Sequence, residues 1–365
     1  MKNNIRKFIT RFISLFLGIV LFFYLLFHIS YMHRGYKILT GFYSQKKNTM
    51  DVVFVGTSTT YTSFISLDAW KDYGISSYIY STNVMFENFI KYSIRDVLRY
   101  QSPKLLLIDI TPYLFKTYAG SNYFTDDKLD VYIKYNIDSR KYSFDRLEYL
   151  NEIIKDKNAT ISDYIYYFFD IARYHTNDID ISNYNNSKKD PNYGFKHMRL
   201  VDGVDIDIEN AIQDEGQSKA ISSREISYLN ELIDYVKDLN IDILFYCPPI
   251  YTYEKLNIES KNFVKQHIES FGLPFLDLYN KKEEIGLDYR YDYYDYMHFN
   301  LLGAEKVTNY LCDYIINNYK IEDRRGNIKY NFLNEDYKEW EKIKEEYDFL
   351  DRTGVAALKL NMPRH

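Results

Sequence analysis

The N-terminal part of this 365-residue chain contains one long apolar stretch without charge. Residues 12–32 read FISLFLGIVLFFYLLFHISYM and include no Asp, Glu, Lys or Arg. About 20 apolar residues in a helix, at roughly 1.5 Å per residue, are enough to cross a hydrocarbon core about 30 Å thick. We therefore predict a transmembrane helix at residues 12–32.

A cleavable signal peptide is the alternative for this stretch. Its apolar part is usually about 7–15 residues long and ends in a cleavage site of small residues. Here the apolar run ends in HISYMHR at residues 28–34, which has no such site. Four basic residues precede the run and four follow it closely, so loop charge alone gives a near tie in orientation. The clustered basic tail resembles that of a signal anchor, and we expect residues 33–365 to lie outside the cytoplasm.

Further along, short apolar runs alternate with segments of helical spacing. Runs bounded by turn residues predict five buried parallel strands, at 51–56, 76–81, 104–110, 241–246 and 274–278. Segments with helical spacing lie between or after them, at 86–100, 222–239, 260–271 and 301–319. This alternation predicts an α/β fold, a three-layer α/β/α domain with a five-stranded parallel sheet, preceded by one transmembrane helix.

The same patterns suggest a division of the whole chain. Residues 1–11 form a basic tail, 12–32 the transmembrane anchor and 33–50 a juxtamembrane linker. The α/β domain spans 51–319, and the rhythm of strands and helices lapses in an insertion at 113–218. Residues 320–365 are a charged C-terminal tail with one helix near 335–349 and no chemical motif.

Charge and cysteine content exclude several classes of protein. Residues 1–50 hold eight Lys and Arg and no acidic residue, so the remaining 38 basic and 51 acidic residues give positions 51–365 a net charge of −13. An acidic body argues against nucleic acid as a partner. Two cysteines, Cys247 and Cys312, exclude a disulfide scaffold. His175 and His197 have no accompanying carboxylate or Cys ligand set, so we expect neither a metal nor a cofactor.

Two segments carry candidate chemistry, and both follow predicted strands. GTSTT at 56–60 comes directly after the first strand and puts Ser58 at the start of a helix, with its hydroxyl toward the cleft. DYMHFNLLG at 295–303 comes after the last strand, and Asp295 lies three residues before His298, close enough to orient its ring. Taken singly, the serine could be a helix N-cap and the Asp and His could be a cap and a surface residue. Together they supply a nucleophile, a base and an orienting carboxylate at one sheet edge, as acyl transfer requires.

These two segments make the chain resemble the SGNH/GDSL hydrolase superfamily, with 56–60 as its first block and 295–303 as its last. The resemblance implies a flavodoxin-like fold and ester or acyl chemistry, with Ser58 as nucleophile, His298 as base and Asp295 as its partner. With its anchor and insertion, the chain looks most like the membrane-bound branch. That branch includes proteins of teichoic-acid D-alanylation and polysaccharide O-acetylation, which work with membrane O-acyltransferases on cell-surface polymers.

The chain departs from the family pattern at the oxyanion hole. The family's second block usually offers a Gly and its third an Asn, but YSTNV at 80–84 has no Gly and DITPY at 109–113 has no Asn. Thr82 or Asn83 would then substitute as donors beside the Ser58 backbone N–H. Loss of one such donor typically lowers the rate by about 10²–10³-fold.

The insertion contains two short motifs, RYHT at 173–176 and YGFKH at 193–197. Similar Arg-x-His and Gly-aromatic patterns occur in insertions of the membrane-bound branch, which implies substrate contacts for Arg173, His175 and Lys196. A solvated basic patch is the alternative interpretation.

Three functional hypotheses follow from these features. The leading one is an anchored serine acyltransferase that moves or removes acyl groups, chiefly acetyl, on a cell-envelope polysaccharide or teichoic-acid-like polymer. The second is an accessory subunit, catalytically weak or inactive, that binds a polytopic membrane O-acyltransferase. The third is an esterase that hydrolyses small acyl esters.

Overall fold

A computed structural model describes residues 2–34, 37–83, 85–114, 134–138, 140–141, 143–154, 160–168, 190–198, 220–251 and 255–361. Five strands form one sheet in the described chain: β1 (Val52–Gly56), β2 (Ser77–Ser81), β3 (Leu105–Asp109), β4 (Asp242–Cys247) and β5 (Phe275–Asp277). Its order is β2-β1-β3-β4-β5 and all four pairings are parallel. The predicted five-stranded parallel sheet is thereby confirmed. Every residue of β1, β2 and β3 is buried, as expected for apolar runs covered on both faces.

The described helices, in chain order, are α1 (Lys2–Arg34), α2 (Lys37–Ser44), α3 (Ser58–Ser63), α4 (Ser66–Tyr73), α5 (Phe89–Tyr100), α6 (Phe144–Ile154), α7 (Ile161–Phe168), α8 (Ser223–Lys237), α9 (Lys255–Ser270), α10 (Lys282–Ile285), α11 (Tyr289–Asp292), α12 (Leu301–Asn318) and α13 (Asn331–Asn361). Short 3₁₀ turns occur at Thr111–Tyr113, Leu278–Lys281 and Ile328–Tyr330, and a π-helical turn at Lys134–Asp138.

Helix α1 is long and apolar enough to cross a membrane. Its most apolar span is Ile5–Leu25, with a mean hydropathy of 2.2, and none of that span is buried in the protein. The span overlaps the predicted segment 12–32 but begins seven residues earlier, because the helix continues through the basic tail. A span of this length and composition suits either a membrane anchor or a signal sequence.

The segment predicted as a juxtamembrane linker contains helix α2, which packs into the core. Leu39 and Phe42 are fully buried, and the Tyr78 hydroxyl of β2 donates to the Ile38 carbonyl oxygen at 2.7 Å. The spacing of the buried apolar side chains, three residues apart, places them on one helical face. The folded domain therefore includes residues from about 37 onward rather than from 51.

The C-terminal segment, predicted as a charged tail, is dominated by helix α13. Trp340 is fully buried and its Nε1 donates to Asp68 Oδ1 of α4 at 2.9 Å. Lys344 donates to the same carboxylate at 2.6 Å. The polar outer face of α13 accounts for its charged sequence, while a few spaced aromatic residues fix it to the domain.

Candidate active site

The register of the sheet brings several strand ends to one edge. Gly56 of β1 pairs with Ser81 of β2, and Asp109 of β3 pairs with Tyr246 of β4. The residues that follow these strands therefore lie at a common carboxyl edge, where ligands bind in open parallel sheets. Ser58 follows β1 at this edge.

Ser58 is the first residue of helix α3, and Thr57 occupies the N-cap position. Thr57 makes no side-chain capping bond, and the Ser58 hydroxyl bonds to a distant residue rather than to its own helix. The tight turn depends on Gly56, because a Cβ there would lie 2.0 Å from Thr60 Oγ1 and 2.6 Å from Asp109 Cβ. The N–H of Ser58 belongs to the first helical turn, whose amides have no acceptor within the helix.

His298 and Asp295 complete a hydrogen-bonded chain with Ser58. His298 Nε2 is 2.8 Å from Ser58 Oγ, and His298 Nδ1 is 2.8 Å from Asp295 Oδ2. Since a carboxylate only accepts, Nδ1 carries the ring proton and the Ser58 hydroxyl donates to the free Nε2. Residues 240 positions apart in the chain thus meet in the order that a nucleophile, a base and an orienting carboxylate would require.

Asp295 is held by more than the imidazole. Its Oδ1 accepts hydrogen bonds from the backbone N–H groups of Met297 at 2.7 Å and His298 at 2.8 Å. Burial opposes ionisation of this carboxyl, but the bonds from the His298 ring and the two backbone amides outweigh it and hold the pKa of Asp295 below its ordinary value. Asp295 therefore stays ionised over the neutral range and can stabilise a positive charge on His298.

A fully buried carboxylate, Asp109, bonds to the residues that follow Ser58 in α3. Asp109 Oδ2 accepts from the hydroxyls of Thr59 at 2.9 Å and Thr60 at 2.8 Å, and its Oδ1 accepts from the Thr111 backbone at 2.7 Å. Burial raises the pKa of Asp109 above its ordinary value, although the hydrogen bonds from the three threonines favour the ionised form. Asp109 was not among the residues predicted for the site, although an Asp at the end of the apolar run KLLLID is a signal for a buried polar network.

The expected oxyanion donors have protein partners. Thr82 donates its backbone N–H to the Gly56 carbonyl oxygen at 3.3 Å and its hydroxyl to Asn136 Oδ1 at 2.9 Å. Asn83 Oδ1 accepts a hydrogen bond from the Tyr61 hydroxyl at 2.8 Å. Only the side-chain nitrogen and the backbone N–H of Asn83 can therefore act as donors. Both donors of Thr82 are thus committed within the protein, and Asn136, fully buried and contributed by the insertion, was missed by sequence reasoning.

Lys196 lies beside the helix of the nucleophile. Its backbone N–H donates to the Tyr61 carbonyl oxygen at 2.8 Å, and its Nζ lies 5.5 Å from the centre of the Tyr61 ring. Tyr61 follows Ser58 by three residues, about one helical turn. The exposed Lys196 side chain thus lies beside Tyr61 of α3, whereas Arg173 and His175 lie outside the described residues.

A tight turn places Lys196 there. The Asp190 carboxylate accepts from the Gly194 backbone N–H at 2.7 Å, and the Tyr193 carbonyl oxygen accepts from the Ile79 N–H of edge strand β2 at 3.1 Å. Gly194 has φ +90°, and a Cβ on it would lie 2.2 Å from the Ile79 carbonyl oxygen. The glycine of the YGFKH motif is therefore required for close contact with the sheet.

The C-terminal helix α13 also contacts the segment that follows His298. Asp351 Oδ2 is 2.9 Å from His197 Nε2 and accepts from the Leu301 backbone N–H at 2.9 Å. His197 stacks on Tyr347, with ring centres 4.0 Å apart. Asp351 is fully buried and thereby links the turn that carries Lys196 to the helix that follows His298. No local sequence pattern marked it.

Within the described residues, no group of three or more His, Cys, Asp or Glu side chains is arranged to bind a metal ion. Cys247 and Cys312 are both buried, and neither is in a disulfide. No protein-family model matches the chain, and no curated protein matches its sequence. The chemistry of the site must therefore be argued from its own geometry.

Proposed function

We propose that this protein is a membrane-anchored serine acyltransferase or esterase of the SGNH hydrolase type. It acts on acyl groups, chiefly O-acetyl, of a cell-envelope polysaccharide. The observation that carries the proposal is the chain of hydrogen bonds from Ser58 through His298 to Asp295. The strand order 2-1-3-4-5, which flavodoxin-like folds share, supports the three-layer SGNH-type architecture.

In the proposed mechanism, Ser58 Oγ attacks the carbonyl carbon of the donor ester while its proton passes to His298 Nε2. Asp295 stabilises the imidazolium, and the backbone N–H of Ser58 donates to the oxyanion. Collapse of the tetrahedral intermediate breaks the ester C–O bond, and the leaving oxygen takes the proton from His298. A sugar hydroxyl or water then loses a proton to His298 as its oxygen attacks the acyl carbon. The bond from the acyl carbon to Ser58 Oγ breaks, and Ser58 Oγ takes that proton back from His298.

Covalent labelling of the full-length chain with a fluorophosphonate tests the role of Ser58. Wild type should be labelled, and Ser58→Ala should not be. Ser63→Ala is the matched control, since Ser63 lies in the same short helix and its hydroxyl donates only locally, to the Thr60 carbonyl oxygen at 3.1 Å. Labelling that persists in Ser58→Ala would remove Ser58 from the mechanism.

Transfer and hydrolysis are distinguished by the fate of the acyl group. With p-nitrophenyl acetate as donor, an esterase releases acetate at the same rate whether or not a glycan is present. A transferase acetylates the glycan, and acetate release falls accordingly. The exposed Lys196 beside Tyr61 is the residue we assign to substrate contact, so Lys196→Ala should raise KM more than it lowers kcat.

A second function is favoured by one observation, the engagement of both Thr82 donors within the protein. A weak oxyanion hole suits an accessory subunit that binds a polytopic membrane O-acyltransferase. Expression of a Ser58→Ala/His298→Ala double variant in cells lacking the protein separates the two functions. Restored acylation of the polymer would favour the accessory role, and its loss would favour the enzyme.

The proposed location is the cell membrane, with α1 as a single-pass anchor and the domain outside the cytoplasm. Because both native cysteines are buried, one cysteine placed at the exposed Ile328 reports topology. A membrane-impermeant maleimide should modify Ile328→Cys in intact cells. Modification only after permeabilisation would reverse the orientation.

A further inference from the structure

One buried carboxylate ties together the side chains on either side of Ser58. The hydroxyls of Thr59 and Thr60 both donate to Asp109 Oδ2, at 2.9 and 2.8 Å. On the other side of Ser58, the Thr57 hydroxyl lies 3.0 Å from Thr59 Oγ1. These threonines and Asp109 are buried, whereas the half-buried Ser58 bonds outside the group, to the imidazole described above. With two further partners they form what we call the Asp109 cluster: Thr57, Thr59, Thr60, Asp109, Thr111 and Tyr246.

The carboxylate sets the direction of the hydrogen bonds in this cluster. An ionised carboxyl group only accepts, and each hydroxyl has a single proton to donate. Because Thr59 gives its proton to Asp109, its oxygen is left to accept from the Thr57 hydroxyl. In the same way, Thr60 donates to Asp109 and accepts from the Tyr246 hydroxyl at 3.0 Å. Two chains of hydrogen bonds therefore end on one carboxylate oxygen.

The other carboxylate oxygen holds Asp109 itself in place. Its Oδ1 accepts from the Thr111 backbone N–H at 2.7 Å and from the Thr111 hydroxyl at 2.5 Å. Asp109 is also the last residue of the buried strand β3, close to the end of β1, since a Cβ on Gly56 would lie 2.6 Å from Asp109 Cβ. The carboxylate is thus a fixed point of the sheet, next to the turn that carries Ser58.

Stability alone does not account for a carboxylate at this position. Burial disfavours the charged form and raises the pKa of Asp109, a cost that an Asn of the same size would avoid. An Asn, however, has one acceptor oxygen and one donating nitrogen. It could not accept from all four of the groups that donate to Asp109. The carboxylate is the side chain that orients every donor around it.

From these contacts we propose that Asp109 is a positioning residue for Ser58, which holds the first turn of α3 so that the Ser58 hydroxyl meets His298 Nε2. Thr57 and Thr59 adjoin Ser58 in the chain, and both belong to the Asp109 cluster. A shift of Ser58 would therefore break hydrogen bonds on both sides of it. Misplacement of a reacting group by about 1 Å can lower a rate by about 10²-fold. The expected effect on rate rests on the proposed function, whereas the contact between Ser58 and His298 does not.

The test uses variants of the full-length chain in detergent micelles. Asp109→Asn exchanges one acceptor oxygen for a donor. Thr59→Val and Thr60→Val each remove one hydroxyl at nearly the same shape, and Thr59→Ser and Thr60→Ser keep that hydroxyl. Ser63→Ala is the matched control, because it removes a hydroxyl of the same helix that donates to the Thr60 carbonyl oxygen and not to Asp109. Denaturant titration shows which variants are folded under the conditions of the assay.

Two readouts are compared in the folded variants. Fluorophosphonate labelling of Ser58 should be about 10²-fold slower in Asp109→Asn. It should be slower in each Val variant than in the corresponding Ser variant, and unchanged in Ser63→Ala. The ¹⁵N chemical shift of His298 Nε2 reports the hydrogen bond from Ser58 without any reaction, and Ser58→Ala gives its value when that bond is absent. In Asp109→Asn this shift should move toward the Ser58→Ala value, which a loss of stability in a still folded chain would not cause.

An Nε2 shift equal to that of wild type in Asp109→Asn would overturn the proposal, whether or not labelling slows. If Asp109→Asn does not fold, the two Val variants decide by the same criterion. A wild-type chain that fluorophosphonate leaves unlabelled would instead refute the proposed chemistry. A changed Nε2 shift in Asp109→Asn would then still support the positioning role, so the two failures are distinguishable.

Discussion

The two halves of the candidate active site are built in different ways. Ser58 follows directly from a central strand whose residues are all buried and which is bonded to a neighbour on each side. Asp295 and His298 lie instead in an irregular loop between α11 and α12. The position of Ser58 therefore depends on the sheet. The positions of Asp295 and His298 depend on contacts with distant parts of the chain.

The loop is fixed by several such contacts. The Tyr293 hydroxyl donates to the Pro249 carbonyl oxygen at 2.6 Å, and the Tyr251 N–H donates to the Tyr296 carbonyl oxygen at 2.9 Å. The Tyr294 N–H bonds to the His298 carbonyl oxygen at 2.8 Å, which closes the loop on itself. Together with Asp351 of α13, these bonds hold His298 against Ser58. We therefore expect the Ser58 side of the site to resist perturbation as a unit, and the His298 side to be loosened when single contacts are removed.

The largest expected effect comes from Asp295→Asn. The amide preserves the shape of the carboxylate but no longer favours the tautomer with its proton on Nδ1, and it cannot stabilise the imidazolium. The rate of Ser58 labelling by a fluorophosphonate should fall by about 10⁴-fold. Asp288→Asn is the control, because Asp288 is an exposed cap of α11 and Asn caps equally well. Equal rates in Asp295→Asn and wild type would contradict the proposed role.

Next in size is the effect of Gly56→Ala on the nucleophile side. The added methyl group would overlap Thr60 and the buried Asp109, so the free energy of unfolding should fall by about 3 kcal/mol, measured by denaturant titration. Gly286→Ala provides a control: Gly286 has φ +76° but open space around it, so only the backbone cost of about 1–2 kcal/mol applies. A loss in Gly56→Ala no greater than in Gly286→Ala would show that the turn tolerates a side chain.

A smaller and more local effect is expected from Asp351→Asn, which weakens the link between His197 and the Leu301 N–H. The cost should be about 1–3 kcal/mol. Hydrogen exchange should accelerate at residues 295–303 and stay unchanged at residues 52–58, with slower fluorophosphonate labelling. Asp348→Asn, a change in an exposed pair with Arg352 on the same helix, should affect neither. Equal acceleration in both segments would indicate general destabilisation and refute the separate support of the loop.

The smallest effect concerns pH and contrasts the two carboxylates. The pKa of Asp295 is lowered on folding, so its stabilising contribution is complete above its ordinary pKa of about 3.9 and is lost as pH falls through the lower folded value. The advantage of wild type over Asp295→Asn in free energy of unfolding should therefore grow as pH rises through the acidic range.

Asp109 should behave in the opposite sense. Its pKa is raised on folding, so ionisation disfavours the native state as pH rises from about 3.9 through the raised value. Wild type should lose stability relative to Asp109→Asn over that interval. The two differences are measured by denaturant titration across the acidic range, and slopes of the same sign would refute one of the assignments.

Much of the fold could be predicted from local sequence. The five strands lie within about two residues of the predicted runs, because a parallel strand buried on both faces needs a continuous apolar segment. Ser58, Asp295 and His298 could be nominated from their places after strands and from the Asp-x-x-His spacing. The bond between Asp295 and His298 was also predictable, because side chains three residues apart are close enough to form it.

The sequence could not predict the features that depend on contacts between distant segments of the chain. The 2.8 Å contact between Ser58 and His298 requires the whole sheet to bring residues 240 apart together. Asn136 and Asp351 carry no local signature, because a polar residue in an insertion or in a charged helix is ordinarily solvated. Only tertiary packing buries them, and burial compels each to find a partner: Thr82 for Asn136, and His197 with the Leu301 amide for Asp351. Local sequence thus indicated the candidate residues Ser58, Asp295 and His298, whereas long-range packing determined which other residues hold them in place.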